Sequence, residues 1–145
     1  MVDKEAIIEN LLTFLPILYK RIFKGMAECD ITRQQMELLY YLKHEGGKPM
    51  NYYGSKMLIS KPNLSVLADK LIEEGFVERG YLPDDRRVII LKITGKGEKF
   101  LQEQMNRIKK HLLEKMSAFG DEDIKRLNEL MEESRAIILK LEDNG

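Results

Sequence analysis

Two arginines that follow two aspartates, in the segment PDDRR at 83–87, are the side chains of this sequence best suited to contacting a polyanion. A guanidinium group is planar and always charged, and it binds phosphates and base edges through paired hydrogen bonds. The minor grooves of A-tract DNA are narrow and strongly negative, and they attract arginine. Arg86 and Arg87 fit such a groove if a loop carries them outward. The alternative is a Pro-Asp turn whose arginines are only solvated charge.

A second group of polar residues shares one side of the segment 60–71. Leucine and alanine recur there at helical spacing and predict a buried face. The opposite face suits a DNA major groove, because the amide of Asn63 can pair with adenine and Lys61 can bind phosphate. Pro62 and Val66 can touch thymine methyl groups. The alternative is an ordinary surface helix. The candidate residues are Ser60, Lys61, Pro62, Asn63, Ser65, Val66 and Lys70.

The helix that would present these residues has clear ends. Ser60 is a good N-cap, Pro62 falls in the first turn where its missing N–H costs nothing, and Gly75 ends the helix. A short helix is predicted before it at Asn51–Leu58, with Asn51 as its cap. A short helix, a tight turn and a second helix together make a helix-turn-helix.

A β-hairpin is predicted directly after this motif. Strand-like segments at Phe76–Gly80 and Arg87–Ile93 are joined by a tip that contains Pro83. A hairpin in this position is the wing of a winged helix. It would place Arg86 and Arg87 over the minor groove that adjoins the major groove entered by the second helix.

Helices are also predicted before the winged helix. Residues 4–23 have helical spacing, and Pro16 is expected to kink that helix or split it near Leu15. The next helix begins with a capping box, in which Thr32 caps and Gln35 follows three residues later.

Two C-terminal helices follow the wing, the first capped by Thr94 and running to about Phe119, the second capped by Asp121. Their apolar stripes are broadened by Leu112, Leu113, Ile137 and Ile138. A winged-helix core can cover only part of that area, which predicts a homodimer. A two-fold dimer would place two recognition helices about 34 Å apart, facing successive major grooves. The alternative is a monomer whose helices fold back on the core.

These elements predict a fold that is mainly α with a small β-hairpin wing (α+β), a winged helix-turn-helix flanked by N- and C-terminal dimerisation helices. With 43% hydrophobic and 33% charged residues, the composition suits a soluble, helix-rich protein. No apolar run is long enough for a membrane span, and the first residues do not resemble a secretory signal, so a cytoplasmic location is expected. Net charge is zero, yet residues 48–99 carry ten basic and seven acidic side chains.

The sequence resembles the MarR family of winged-helix transcription regulators. The resemblance runs through 31–97 in the segments ITRQQMELLYYL, SKPNLSVLADKLIEEGFVER and DDRRVIILKIT. It implies a single MarR-type domain over 1–145, with an N-terminal dimerisation helix in 1–30, the DNA-binding lobe in 31–94 and C-terminal dimerisation helices in 95–145.

The last segment is similar to the family's wing signature, Asp-x-Arg followed by a strand and Leu-Thr. The resemblance implies that Arg86 enters the minor groove and that Asp84 steadies it. Arg87 is expected to contact phosphate. Three departures stand out. Val66 occupies a position where many relatives place arginine or another polar residue, and Gly54 and Leu58 replace a usual alanine and glycine.

Many family members release DNA when a small phenolic or other lipophilic effector binds. The resemblance implies a pocket between the DNA-binding lobe and the dimerisation helices. The aromatic and methionine side chains available for it are Tyr19, Phe23, Met26, Met36, Tyr40 and Phe100. The single cysteine, Cys29, lies between Glu28 and Asp30, which oppose a lowered thiol pKa. No close-spaced set of metal ligands is present, and no cofactor is expected.

The sequence therefore predicts a sequence-specific, ligand-responsive repressor that binds double-stranded DNA as a homodimer at a pseudo-palindromic operator. One alternative is a protein-interaction module that keeps a degenerate winged helix, and another is a regulator that senses oxidants through its single cysteine. An enzyme is not expected, because no nucleophile with a base, phosphate loop or paired carboxylates occurs in a suitable context.

Overall fold

The computed structural model describes residues 2–25 and 32–142. Within them the chain is mainly helical, with one antiparallel hairpin, as predicted. The elements are α1 (Lys4–Leu18), a π-helical turn (Tyr19–Phe23), α2 (Arg33–His44), α3 (Met50–Met57), α4 (Lys61–Glu73), β1 (Val77–Leu82), β2 (Asp85–Ile93), α5 (Gly95–Met116) and α6 (Asp121–Ile138).

The described residues divide into two compact units, one within 30–106 and 141–145 and the other within 1–29 and 107–140. The first unit holds the hydrophobic core. Its largest fully buried apolar side chains come from α2, α3, α4, β2 and the start of α5, namely Leu38, Leu39, Tyr53, Leu64, Leu71, Leu91 and Leu101. In the second unit neither α1 nor α6 contains a buried residue. Its helices thus leave most of their apolar side chains uncovered in a single chain.

The two helices of the helix-turn-helix are α3 and α4. The hydroxyl of Ser60 caps α4 by accepting from the Asn63 N–H at 3.4 Å, and Pro62 lies in the first turn, as predicted. Leu64, Leu67, Ala68 and Leu71 form the buried face of α4. Between the helices, Leu58 ends α3 at φ 55° with 86% of its surface exposed. This left-handed conformation favours glycine, so the leucine is a strained residue at the turn.

The predicted start of α3 is wrong by one residue. The helix begins at Met50, its N-cap is Pro49, and no side chain caps it, so Asn51 is an ordinary first-turn residue. Pro49 also makes an isolated antiparallel bridge with Ile90 of β2. This tertiary contact holds the chain extended up to Pro49. The fixed φ of Pro49 is compatible with the start of a helix, which follows directly.

Pro16 does not split the first helix near Leu15, so that part of the prediction is wrong. α1 continues through Pro16 to Leu18, and the chain then widens into the π-helical turn. Loss of one backbone donor removes a single hydrogen bond, and the neighbouring residues keep theirs. Within the π-helical turn, the carbonyl oxygen of Ile22 lies 3.2 Å from the ring nitrogen Nε2 of His111.

The ends of α5 and α6 were predicted only in part. Thr94 caps α5, since its hydroxyl accepts from the Gly97 N–H at 3.0 Å. The α-helix ends at Met116 and not near Phe119, because the backbone N–H groups of Ala118 and Phe119 bond to carbonyls three residues back, as in a tightened last turn. Gly120 is the N-cap of α6, so Asp121 does not cap it. As the first helical residue, Asp121 instead places its negative charge at the positive end of the helix.

Candidate nucleic-acid interface

The outward face of α4 carries the candidate major-groove residues. Val66 stands among them with 59% of its surface exposed. Of the predicted residues only Ser65 is half-buried, and the exposed ones are Ser60, Lys61, Pro62, Asn63, Val66 and Lys70. The exposed set forms one continuous surface, because it occupies the cap, the first turns and the side of α4 away from the buried leucines.

The N-terminus of α4 is electrostatically suited to phosphate. Its first turn contains no acidic residue, and Lys61 is its first residue. The unpaired N–H groups of a helix N-terminus and the helix dipole favour an anion there. An acidic side chain in that turn would have cancelled this potential, so its absence from the first turn leaves the N-terminal end of the helix cationic.

The wing carries its arginines in an irregular stretch of β2. The ladder pairs residues regularly from Val77 with Ile93 to Tyr81 with Ile89, and it then shifts so that Leu82 pairs with Asp85. The stretch 86–88 is left without partners opposite, as in a β-bulge. Bulges re-aim side chains at the ends of ladders, which explains why two consecutive arginines both reach solvent here. The strands extend closer to the tip than predicted, and the turn consists of residues 83 and 84.

Arg87 is held by Asp85. One carboxylate oxygen of Asp85 accepts from the Arg87 backbone N–H at 3.0 Å and from Nε at 3.1 Å, and the other accepts from Nη2 at 3.4 Å. The hydrogen bond from the Arg87 side chain, followed by the one from its backbone, lowers the pKa of Asp85. Asp85 is therefore an orienting residue of the wing, although 91% of the Arg87 side chain stays exposed.

The pairing expected between Asp84 and Arg86 does not occur in the described chain. Both residues are exposed, and neither forms a hydrogen bond or ion pair with the other among the described residues. Asp84 lies in the turn, whereas Asp85 lies at the start of β2 and bonds to Arg87, two residues further on. The guanidinium of Arg86 remains available to a ligand.

An ion pair that the sequence did not reveal joins α4 to the wing. Arg79 on β1 donates from Nη2 to Oδ1 of Asp69 on α4, and the two side chains are 42% and 59% exposed. The only sequence signal was an acid on the outer face of a helix and a base on a nearby strand. Their pairing depends on how the hairpin packs, which spacing along the chain does not encode.

The base of the wing is fastened to the end of α4. The Thr94 hydroxyl donates to the Gly75 carbonyl at 2.7 Å, and Lys96 Nζ donates to the Glu74 carbonyl at 2.8 Å. Phe76 stacks on Phe100 with 4.2 Å between ring centroids. These contacts position the strands at their origin, while the tip with its arginines extends away from them.

The tyrosine pair of α3 divides into a packing residue and a surface residue. The buried Tyr53 donates to the Glu45 carbonyl at 2.7 Å and accepts from the Lys48 N–H at 3.2 Å, and burial raises its pKa. Tyr52 donates to the Glu45 carboxylate at 2.9 Å, and this hydrogen bond raises its pKa. The ammonium groups of Lys48 and Lys56 lie 5.8 and 5.7 Å from the centre of the Tyr52 ring. The ring of Tyr52 thus lies near two lysines, while its hydroxyl contacts the carboxylate of Glu45.

The predicted effector residues occupy different environments. Tyr19 is exposed and Phe23 half-buried in the unit that contains α1. In the other unit, Met36 packs against the core, the ring of Tyr40 lies 4.4 Å from that of His44, and Phe100 is used in the stack on Phe76. Met26 and Cys29 lie outside the described residues, as do the acidic neighbours of Cys29.

The described part of the chain offers neither a cluster of metal ligands nor a helix that could span a membrane. Among those residues, no three histidine, cysteine, aspartate or glutamate side chains gather where they could hold a metal ion. None of the helices described is both long and apolar enough to cross a membrane.

Comparisons with known proteins agree with this architecture. The model of the MarR family matches residues 31–89, which include α2 to α4 and most of the wing. The HTH-type transcriptional regulator YpoP of Bacillus subtilis is 25% identical over 121 residues, which cover 81% of this chain and 86% of YpoP.

Solved structures share the fold. A MarR family protein from Bacillus stearothermophilus has a TM-score of 0.78 at 20% identity and covers 95% of this chain and 99% of its own. The transcriptional repressor CouR, solved bound to a 23-mer DNA duplex, has a TM-score of 0.71 at 22% identity and covers 94% of this chain and 99% of its own. The family-model match thus identifies residues 31–89 as a MarR family domain, and the related regulator and the shared architecture extend the likeness over most of the chain.

Proposed function

We propose that this chain is a sequence-specific regulator that binds double-stranded DNA as a homodimer and represses transcription from a pseudo-palindromic operator in the cytoplasm. One observation carries the proposal. Within one compact unit, an acid-free helix N-terminus with Lys61 and Asn63 stands beside a wing whose bulge exposes Arg86 and Arg87. CouR, which has the same fold, was solved on a DNA duplex, and this supports the assignment.

The recognition helix α4 reads the major groove in this proposal. Asn63 in the first turn pairs with adenine, and Lys61 neutralises phosphate near the helix N-terminus. Val66, which is exposed and apolar, contacts a thymine methyl group where many relatives would use a polar side chain. The expected preference is therefore for A·T pairs under the middle of the helix.

The wing divides its two arginines between two tasks. Arg86, with a free guanidinium, enters the adjacent minor groove, and an A·T-rich sequence there would strengthen the contact. Arg87, which Asp85 holds in place, binds phosphate at the rim. Because Asp85 stays ionised, it offsets part of the charge of Arg87. The wing then contributes to DNA binding through the position of its arginines more than through its net positive charge.

Dimerisation accounts for the uncovered apolar surfaces of the second unit. Many of the apolar side chains on α1 and α6 are exposed in the single chain, among them Ile7, Leu11, Leu15, Met131 and Ile137. Surfaces of this kind mark interaction sites. A two-fold partner would cover them and would give the dimer two copies of α4, about one helical turn of DNA apart.

A small lipophilic or phenolic effector is proposed to regulate the dimer. Among the described candidates, Tyr19, Phe23 and Tyr40 are not part of the core cluster. Such a ligand would act only if it binds the DNA-bound and DNA-free states with different affinity. Adding phenolic acids to the protein–DNA complex would then lower the apparent affinity for DNA.

The salt dependence of binding tests the proposed function. If Lys61, Lys70 and Arg87 of each protomer neutralise one phosphate each, a dimer neutralises about six. The logarithm of the association constant should then fall with the logarithm of the salt concentration at a slope of about −5. The measurement is a fluorescence-anisotropy titration at several salt concentrations. Its DNA is a pool of random-sequence duplexes of about 30 bp, roughly three turns of DNA.

A Lys61→Gln variant is the control, because loss of one phosphate contact in each protomer should make the slope shallower by about 2. A chain that shows no binding at low salt, or a slope near zero, would be a protein-interaction module with a degenerate winged helix.

A further inference from the structure

We propose that the ion pair between Arg79 and Asp69 sets the angle of the wing relative to the recognition helix, which makes both residues positioning residues for DNA reading. The inference deepens the proposed function and rests on it. Neither residue is assigned a contact with DNA. They act by holding two elements that each read a different groove.

The pair is placed where it can control the wing. The base of the hairpin is fixed to the end of α4 through Thr94 and Lys96, which bond to the carbonyls of Gly75 and Glu74. On the other strand, β2 is bridged at Ile90 to Pro49, just before α3. Arg79 is the third residue of β1, and its bond to Asp69 ties this strand to α4 one helical turn before the end of that helix. The ion pair therefore adds a direct link between the wing and the outer face of the recognition helix.

Asp69 otherwise has no reason to occupy this face. It follows Val66 by three residues and Ser65 by four, so it lies on the side of α4 that carries the candidate major-groove residues. An acid there repels phosphate. Its charge is tolerated if Arg79 compensates it and if the pair places Arg86 correctly. The pair in the wing, Asp85 with Arg87, cannot serve this purpose because both residues belong to β2.

The folding stability of the chain should depend little on the pair. Both side chains are partly exposed, and exposed ion pairs contribute little to stability. The effect of breaking it should therefore be found in DNA binding. Weaker DNA binding without a loss of folding stability would indicate a positioning role, whereas a merely structural role would lower stability.

The test uses variants of the full chain and a duplex that the wild-type protein selects from a random-sequence pool. Asp69→Asn removes a negative charge near DNA, so a simple charge effect would tighten binding. If the pair positions the wing, Asp69→Asn instead weakens binding about tenfold, Arg79→Gln does the same, and the double variant is no weaker than either single one. Arg79→Lys, which keeps a cation within reach of Asp69, stays within about threefold of the wild type.

A second readout links the pair to the wing tip. In an Arg86→Ala background the wing contact is already lost, so Asp69→Asn should change affinity less than about twofold. Melting temperatures of all variants report whether they fold. Tighter or unchanged binding by Asp69→Asn, or a tenfold loss that persists without Arg86, overturns the inference. If the wild-type chain selects no duplex at all, the proposed function fails and the inference fails with it.

Discussion

An Arg86→Ala variant is expected to bind a duplex with A·T-rich flanks at least about tenfold more weakly than the wild-type chain at moderate salt. The guanidinium of Arg86 is exposed in the bulge of β2 and has no partner among the described residues. A narrow A·T minor groove has a strongly negative potential and attracts such a group. The substitution removes one such contact from each protomer, and therefore two from each dimer. Equilibrium titrations with duplexes that differ only in their flanks measure the effect.

Arg87→Ala is the matched control for this variant. Arg87 is already engaged by Asp85 and is assigned to phosphate, so its loss should weaken binding equally on A·T and G·C flanks. Arg86→Ala should lose most of its effect on G·C flanks. Unchanged affinity of Arg86→Ala at moderate salt, or an equal loss on both flanks, would contradict the role of Arg86 in the minor groove.

A Gly97→Ala variant is expected to be destabilised by about 3 kcal/mol. A Cβ at residue 97 would lie 2.1 Å from the carbonyl oxygen of Phe76 and 2.8 Å from Cγ1 of Ile93. The carbonyl cannot easily move, because it accepts from the Thr94 N–H at 3.0 Å where the wing ends and α5 begins. Chemical denaturation, followed by circular dichroism, gives the change in the free energy of unfolding.

Gly95→Ala provides the comparison within the same helix. A Cβ at residue 95 meets nothing within 4 Å, so this change should leave stability nearly unaltered or raise it slightly through helix propensity. Equal stabilities of the two variants would mean that α5 and the wing do not pack as closely as described. The comparison also tests the junction that fixes the base of the wing.

Much of the fold could be predicted from sequence because its signals are local. The capping box of Thr32 and Gln35 involves residues three apart, and both of its hydrogen bonds form in the structure. Ser60 and Pro62 mark the start of α4 in the same way. The buried face of α4 follows from helical spacing of apolar residues. Each signal depends on the chain over one or two turns.

The misplaced boundaries depend on contacts between distant segments. α3 begins before Asn51 because Pro49 bridges to Ile90, forty-one positions along the chain. A capping propensity at Asn51 cannot compete with that contact. Pro16 was expected to kink the first helix or split it near Leu15, but α1 continues through Pro16, and the chain changes its winding at Tyr19. Propensity is a weak prior where tertiary packing decides.

The electrostatics of the candidate site could be predicted only in outline. The segment PDDRR indicates a charged wing tip, and the choice of partners depends on the bulge. The shifted ladder brings Asp85 to Arg87, while Asp84 stays in the turn. The link from Asp69 to Arg79 arises only when the hairpin packs beside α4. Side-chain pairing therefore required the geometry of the strands.

Selection of binding sites from random duplex DNA is the measurement that tests the central claim most directly. If α4 and the wing read DNA in a two-fold dimer, the wild-type chain will enrich an inverted repeat. Its half-sites will lie about 10 bp apart, with A·T-rich positions on their flanks. Recovery of a single half-site, or of no enriched sequence at low salt, would contradict the proposal that this chain is a dimeric, sequence-specific regulator.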